Sequence, residues 1–137
     1  MMAPASGALA PSAPATVEKV ELLRGSQSWD GAELPDYPAG KPELVAMRYV
    51  FPAGCKLSPH KHPVMNYGVV TQGELTIIGP GGIEKVVRAG EPVAEMVGTP
   101  HHGENRGAVP VVLYMFYVSQ KGQPLSVPVP EGNGAAK

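Results

Sequence analysis

The sequence predicts an all-β domain, a barrel or sandwich of short antiparallel strands. Three observations predict it. Seven to nine short apolar or alternating runs recur at regular spacing, with Gly, Pro, Asn or Asp between them. No window carries the 3.6-residue period of an amphipathic helix. With 17 Gly and 16 Pro among 137 residues, long helices are disfavoured. A hydrophobic share of 43% suffices for one real core, and the length suits one domain.

The elements follow in order. Residues 1–16 are rich in Ala, Pro and Ser and carry no charge. They lack the positive start and long apolar stretch of a secretory signal, although Ala8-Leu9-Ala10 resembles the small-x-small end of one. Two readings stay open: a flexible tail, or the cleavage region of a longer precursor. The compartment is correspondingly open between cytoplasm and periplasm.

Val17–Leu23 is a candidate edge strand. Ser28 to Gly40 is a Gly-, Pro- and Asp-dense ordered loop that Trp29, Leu34 and Tyr37 pin to the barrel or to a partner. Glu43–Phe51 is a strand with Val45, Met47, Tyr49 and Phe51 on one face. Val64–Thr71 follows. Glu74–Gly79 and Ile83–Arg88 form a hairpin around Pro80-Gly81-Gly82, which offers glycine where positive φ is required. Pro92–Val97 is a further strand, and Gly98-Thr99-Pro100 a tight corner. Val111–Ser119 is a long hydrophobic strand expected at the centre of a sheet. Residues 17–123 therefore form one barrel domain with its core in 43–119, and residues 124–137 form a Pro-rich C-terminal tail.

Charge and cysteine content exclude several functions. A net charge of −1 offers no basic stripe for nucleic acid and no polybasic patch for lipid. No segment approaches the roughly 18 apolar residues of a membrane span. The expected partners are thus small molecules, not nucleic acid or membrane. Cys55 is the single cysteine, so neither an internal disulfide nor a Cys-rich zinc site can form. It reads as a buried thiol.

All four histidines fall in two windows, GCKLSPHKHPVMNYGVVTQG and GEPVAEMVGTPHHGEN. His60 and His62 share one face of an extended strand, and Asn66 keeps their parity. Two imidazoles on one face form half of a first-row metal site. His101 and His102 lie in the second window. As neighbours they point apart, so one of them is surface or supporting.

The spacing carries a resemblance. Gly54-x5-His60-x-His62-x3-Asn66-x6-Gly73 resembles the first motif of the cupin superfamily, with Asn66 where the family has Glu. Gly90-x5-Met96-x-Gly98-x2-His101-x3-Asn105 resembles the second, with Met96 where the family has Pro. The match spans about Glu43 to Ser119 and is similar to a group of small single-domain bacterial cupins.

The resemblance implies a double-stranded β-helix, the jelly-roll cupin barrel, with a divalent transition metal (Fe, Mn, Ni or Zn) in its mouth. It implies His60, His62 and His101 as ligands. Asn66 is either a weak fourth ligand or a donor to bound water. Glu95 follows an apolar stretch and is the expected general base, its pKa raised by burial toward neutrality. Glu95, Glu104 or backbone carbonyls would orient the spare ring nitrogens. Met47, Met65, Met96, Met115, Tyr49, Tyr67 and Phe116 are candidates to line a pocket over the metal.

The implied activity is that of a metal-binding cupin, with a non-haem Fe(II) dioxygenase-like enzyme as its concrete form. A metal-dependent isomerase, cyclase or lyase is one alternative, and a non-catalytic ligand- or metal-binding module another. Open sheet edges point to a homodimer, with Val17–Leu23 or the Ser28–Gly31 loop as the docked segment.

Overall fold

The longest apolar run of the sequence becomes the middle of the larger sheet. In this computed structural model, which describes residues 15–130, that run is β8, Val111–Gln120. Before it come β1 Pro42–Phe51, β2 His60–Lys61, β3 Met65–Gln72, β4 Glu74–Ile78, β5 Glu84–Arg88, β6 Pro92–Ala94 and β7 His102–Glu104. After it comes β9, Val127–Pro128. Helical backbone among the described residues is confined to a 3-10 turn, Pro80–Gly82. No helix among them is long and apolar enough to cross a membrane.

Three antiparallel sheets result, ordered β1-β8-β3-β6, β5-β4-β7 and β2-β9. Period-2 alternation decides which side of each strand is buried. Along β8, Val111, Leu113, Met115, Tyr117 and Ser119 are buried, while Tyr114 and Phe116 face outward. β4 supplies Leu75 and Ile77 from the second sheet, and β5 supplies Val87. These chains meet Phe51, Val64, Val70 and Val93 in one core between the sheets. Each fully buried apolar side chain contributes about 1.5–3 kcal/mol. The result is all-β, as the strand and turn pattern predicts, and a jelly-roll barrel, as the resemblance implies.

Two glycine positions shape the walls. A Cβ at Gly68 would run into the Tyr114 carbonyl and the Met115 sulfur, so β3 and β8 pair closely only because that side chain is absent. In the β4–β5 turn, Gly81 and Gly82 have φ of 72° and 80°, as the Pro-Gly-Gly signal requires.

Several expectations change. Val17–Leu23 forms no strand, and Val17, Val20, Leu22 and Leu23 are exposed. A strand needs a partner for its backbone groups, and among the described residues this segment has none. The tail expected at 124–137 begins as structure: β9 pairs with β2, Pro128 opposite His60 and Val127 opposite Lys61. Residues 1–14 and 131–137, which hold most of the two expected tails, lie outside the described residues. Cys55 is exposed rather than buried, because it sits in the open loop between β1 and β2. Trp29 packs against the core, and its backbone N–H donates to Ala94 O at the end of β6 (2.9 Å). Leu34 is half-buried, but Tyr37 is 80% exposed and does not pin the loop to the barrel.

Candidate metal centre

The two histidine windows meet through their backbones. His60 and His101 exchange both hydrogen bonds of a narrow antiparallel pair, N–H to O at 3.0 and 2.9 Å. Gly98 N–H also donates to His62 O at 2.7 Å. The three rings consequently stand 4.8 to 4.9 Å apart, centroid to centroid, in a nearly equilateral triangle. Their donor atoms lie within 4.8 Å of one another. His62 and His101 are buried, and His60 is half-buried at the open side.

The tautomer of each ring follows from its partner. A carbonyl oxygen can only accept, so each Nδ1 must donate. His60 Nδ1–H donates to Ser58 O (2.8 Å), His62 to Leu125 O (2.9 Å) and His101 to Thr99 O (2.8 Å). Each Nε2 of a neutral ring then keeps its lone pair for the shared centre. Of the orienting groups foreseen, the carbonyls do the orienting. Glu104 instead accepts from His102 Nε2 (2.7 Å) and from Arg106 (2.9 Å) on the outer side. His102 points away from its neighbour, as its parity requires.

Asn66 and Glu95 share one stretch of wall. The β3–β6 register runs Val69–Pro92, Gly68–Val93, Tyr67–Ala94, and Glu95 N–H donates to Asn66 O at 3.0 Å. Residues facing each other across strands point to the same side, so both side chains enter the cavity that His60 and His62 line. Asn66 is buried, and neither its amide oxygen nor its nitrogen has a partner. Glu95 Oε1 and His101 Nε2 are likewise buried and unpartnered, and Glu95 Oε2 stands 3.4 Å from that Nε2. Buried polar atoms are rarely left unsatisfied, so four such groups around one point mark a place built for something else. Three neutral nitrogens, a carboxylate and an amide suit a divalent first-row ion.

The electrostatics correct one expectation. Burial pushes the Glu95 carboxyl up, but the His101 ring beside it, with His62 and His60, outweighs burial and holds it below the usual carboxylate range. Glu95 therefore stays ionised near neutrality, and the raised pKa expected of a general base is absent. Burial also pushes His101 down, yet the Glu95 carboxylate, aided by Asp30, holds it above the ordinary imidazole value. For His60 and His62 burial prevails, and both are lowered.

The cavity measures about 40 Å³, room for about three water molecules at roughly 10–15 Å³ each. Its apolar wall is Phe51, Leu57, Leu113 and Met115, with Tyr49 and Tyr117 beside them. The two tyrosine hydroxyls are hydrogen-bonded at 2.6 Å, and the Tyr117 ring lies 5.9 Å from that of His62. Burial, then the Tyr49 contact, raises Tyr117 far above the ordinary phenol value, so it stays neutral.

Of the expected lining residues, only Tyr49 and Met115 are there. Tyr67 and Phe116 are 46% and 40% exposed on the outer face, Met47 is 39% exposed despite its inward parity, and Met96 is buried without lining the cavity. Met65 flanks surface grooves. Tyr117 and Leu113 were not foreseen, although parity along the β8 run places both with Met115. Arg106 is taken up by Glu84 and Glu104 at the surface.

Comparison with known proteins agrees with the fold. Among solved structures, the chain is similar to oxalate oxidase in complex with the substrate analogue glycolate, at 29% identity and a TM-score of 0.56, covering 68% of this chain and 49% of that one. It is similar to the DMSP lyase DddQ from Ruegeria pomeroyi DSS-3 at 21% identity and TM-score 0.54, covering 65% of this chain and 43% of that. The polyketide cyclase RemF from Streptomyces resistomycificus matches at 17% and 0.56, covering 67% and 63%. The last two likenesses are of fold alone. The chain spans about half the length of the oxalate oxidase. A search of curated proteins found no match. The family model described as "Cupin domain" matches residues 47–117, and by that match the chain belongs to the cupin family.

Proposed function

We propose that the protein is a metal-dependent cupin acting on a small, oxygen-rich organic molecule, in its leading form a dioxygenase-like oxidoreductase. The carrying observation is the triangle of three rings, each with Nδ1 committed to a carbonyl and Nε2 free for the centre. His60, His62 and His101 would hold the ion, with Asn66 and Glu95 on the adjoining wall. An Fe or Mn ion would supply a redox couple and open positions there. The chain's own contribution is shape: Phe51, Leu57, Leu75, Leu113 and Met115 give an apolar wall to a cavity of about 40 Å³, which suits a small ligand. The likeness to oxalate oxidase, a protein solved with glycolate bound, supports a short oxygenated acid.

The test is metal content by mass spectrometry, then oxygen uptake by the metal-loaded protein with short hydroxy, keto and dicarboxylic acids. Protein that takes up no stoichiometric metal removes the proposal. Turnover without oxygen uptake selects a second reading, a metal-assisted isomerase, cyclase or lyase. The Tyr49–Tyr117 pair favours it, because linked hydroxyls can pass a proton with no change of oxidation state. Tight binding without turnover selects a non-catalytic module.

The same proposal takes the chain as a homodimer. Among the described residues β1 ends its sheet with a free edge, Leu44 and Val50 on it are exposed, and the Val17–Leu23 segment is unpaired. A monomer in light scattering would refute this part.

A further inference from the structure

We infer that Glu95 is the fourth protein donor of the metal centre, supplying from the end of β6 the anionic ligand that an asparagine at position 66 cannot. This rests on the metal-centre reading above and goes beyond it by reassigning Glu95 from proton transfer to coordination.

Four observations carry it. Glu95 Oε2 stands 3.4 Å from His101 Nε2, and donors bonded at about 2.1 Å to a tetrahedral ion lie about 3.4 Å apart. The spacing of a coordinated pair is thus already present. Glu95 Oε1 is buried with no partner, and among the described residues no lysine or arginine pairs with this carboxylate. Its nearest basic neighbour is the His101 ring, and while that ring is neutral a buried carboxylate needs a cation from elsewhere. The cross-strand pairing sets Glu95 beside Asn66, so a donor at either position enters the cavity from the same wall.

The fourth observation is charge. Three neutral imidazoles and one carboxylate leave a divalent ion with a single net positive charge. Three imidazoles and an amide leave it with two, inside an apolar wall. Asn66, with both amide atoms unpartnered, is then left to hold a metal-bound water or a substrate oxygen. The rival is an ion pair in which His101 carries a proton on each nitrogen and Glu95 merely balances it.

Cobalt(II) separates the two. The full-length chain, Glu95→Gln, Glu95→Asp and the double variant Glu95→Gln/Asn66→Glu are titrated with Co2+ against a competing chelator, and the visible spectrum and metal-free Tm are recorded. Coordination predicts that Glu95→Gln loses about a hundredfold in affinity, that its Co2+ bands move, and that the double variant regains most of the affinity. Affinity within about threefold of the parent, or weaker binding with an unchanged spectrum, overturns the inference. Should Glu95→Gln unfold without metal, Glu95→Asp, which keeps the charge and withdraws the oxygens, is judged by the same two readouts. A parent protein that binds no Co2+ would instead overturn the metal-centre reading itself.

Discussion

His60 and His101 are oriented by their own loops, His62 by a distant part of the chain. The first two each donate Nδ1–H to a carbonyl two residues upstream, Ser58 and Thr99. His62 reaches the carbonyl of Leu125, 63 positions away. The first arrangement is built into a tripeptide. The second exists only once β9 has docked along β2. One corner of the triangle therefore depends on a segment that carries no chemistry of its own.

Four experiments break or sharpen that contrast, from the largest effect down. Replacing His101 or His60 with Ala should abolish stoichiometric metal in mass spectrometry, since two imidazoles hold a first-row ion far less tightly than three. Ending the chain after Gln123 should leave all three rings in place but free His62 to rotate, at a cost of about 10–100-fold in affinity, measured by chelator competition. Unchanged affinity would mean that His62 needs no long-range partner.

The third concerns protons in the metal-free protein. Burial keeps His60 and His62 below the ordinary imidazole value, so their contribution is present above about pH 6.5 and is lost as the pH falls through their folded values. For His101 burial is outweighed by Glu95; its contribution is present below about pH 6.5 and is lost as the pH rises through its folded value. Metal-free thermal melts should peak at about pH 6.5, and NMR should find His101 titrating after His60 and His62 as the pH is raised. The smallest effect is His102→Ala. It removes a partly buried hydrogen bond to Glu104, costs roughly 0.5–1.5 kcal/mol of stability and leaves metal affinity within about twofold.

What the sequence discloses divides along the same line as the two modes of orientation. The all-β class, the central place of β8, the Pro-Gly-Gly hairpin and the shared face of His60 and His62 follow from local pattern, whereas the jelly roll and the convergence of His101 on that pair come from the resemblance to cupins. Two-residue strands such as β2 and β9 carry no periodic signal, so their pairing, and with it the Leu125 carbonyl, stayed hidden. Glu95 was identified as a site residue, but its ionisation was not. A stretch read alone shows burial, which raises a carboxyl. The neighbouring imidazoles, which lower it, arrive from the other window. Tyr117 was recoverable from parity, whereas Met47 shares the inward parity of β1 and is still 39% exposed, so parity alone does not decide.

The reciprocal backbone pair between His60 and His101 carries a last consequence. Two hairpins far apart along the chain are laced together beside the rings, so capture of a cation there would be one thermodynamic event with closure of the barrel mouth. An ion present at about a hundred times its dissociation constant would add about 2.7 kcal/mol against unfolding. Chelators would then lower the melting temperature in proportion to the logarithm of free metal, and the mouth of the cup would be where the molecule first comes undone.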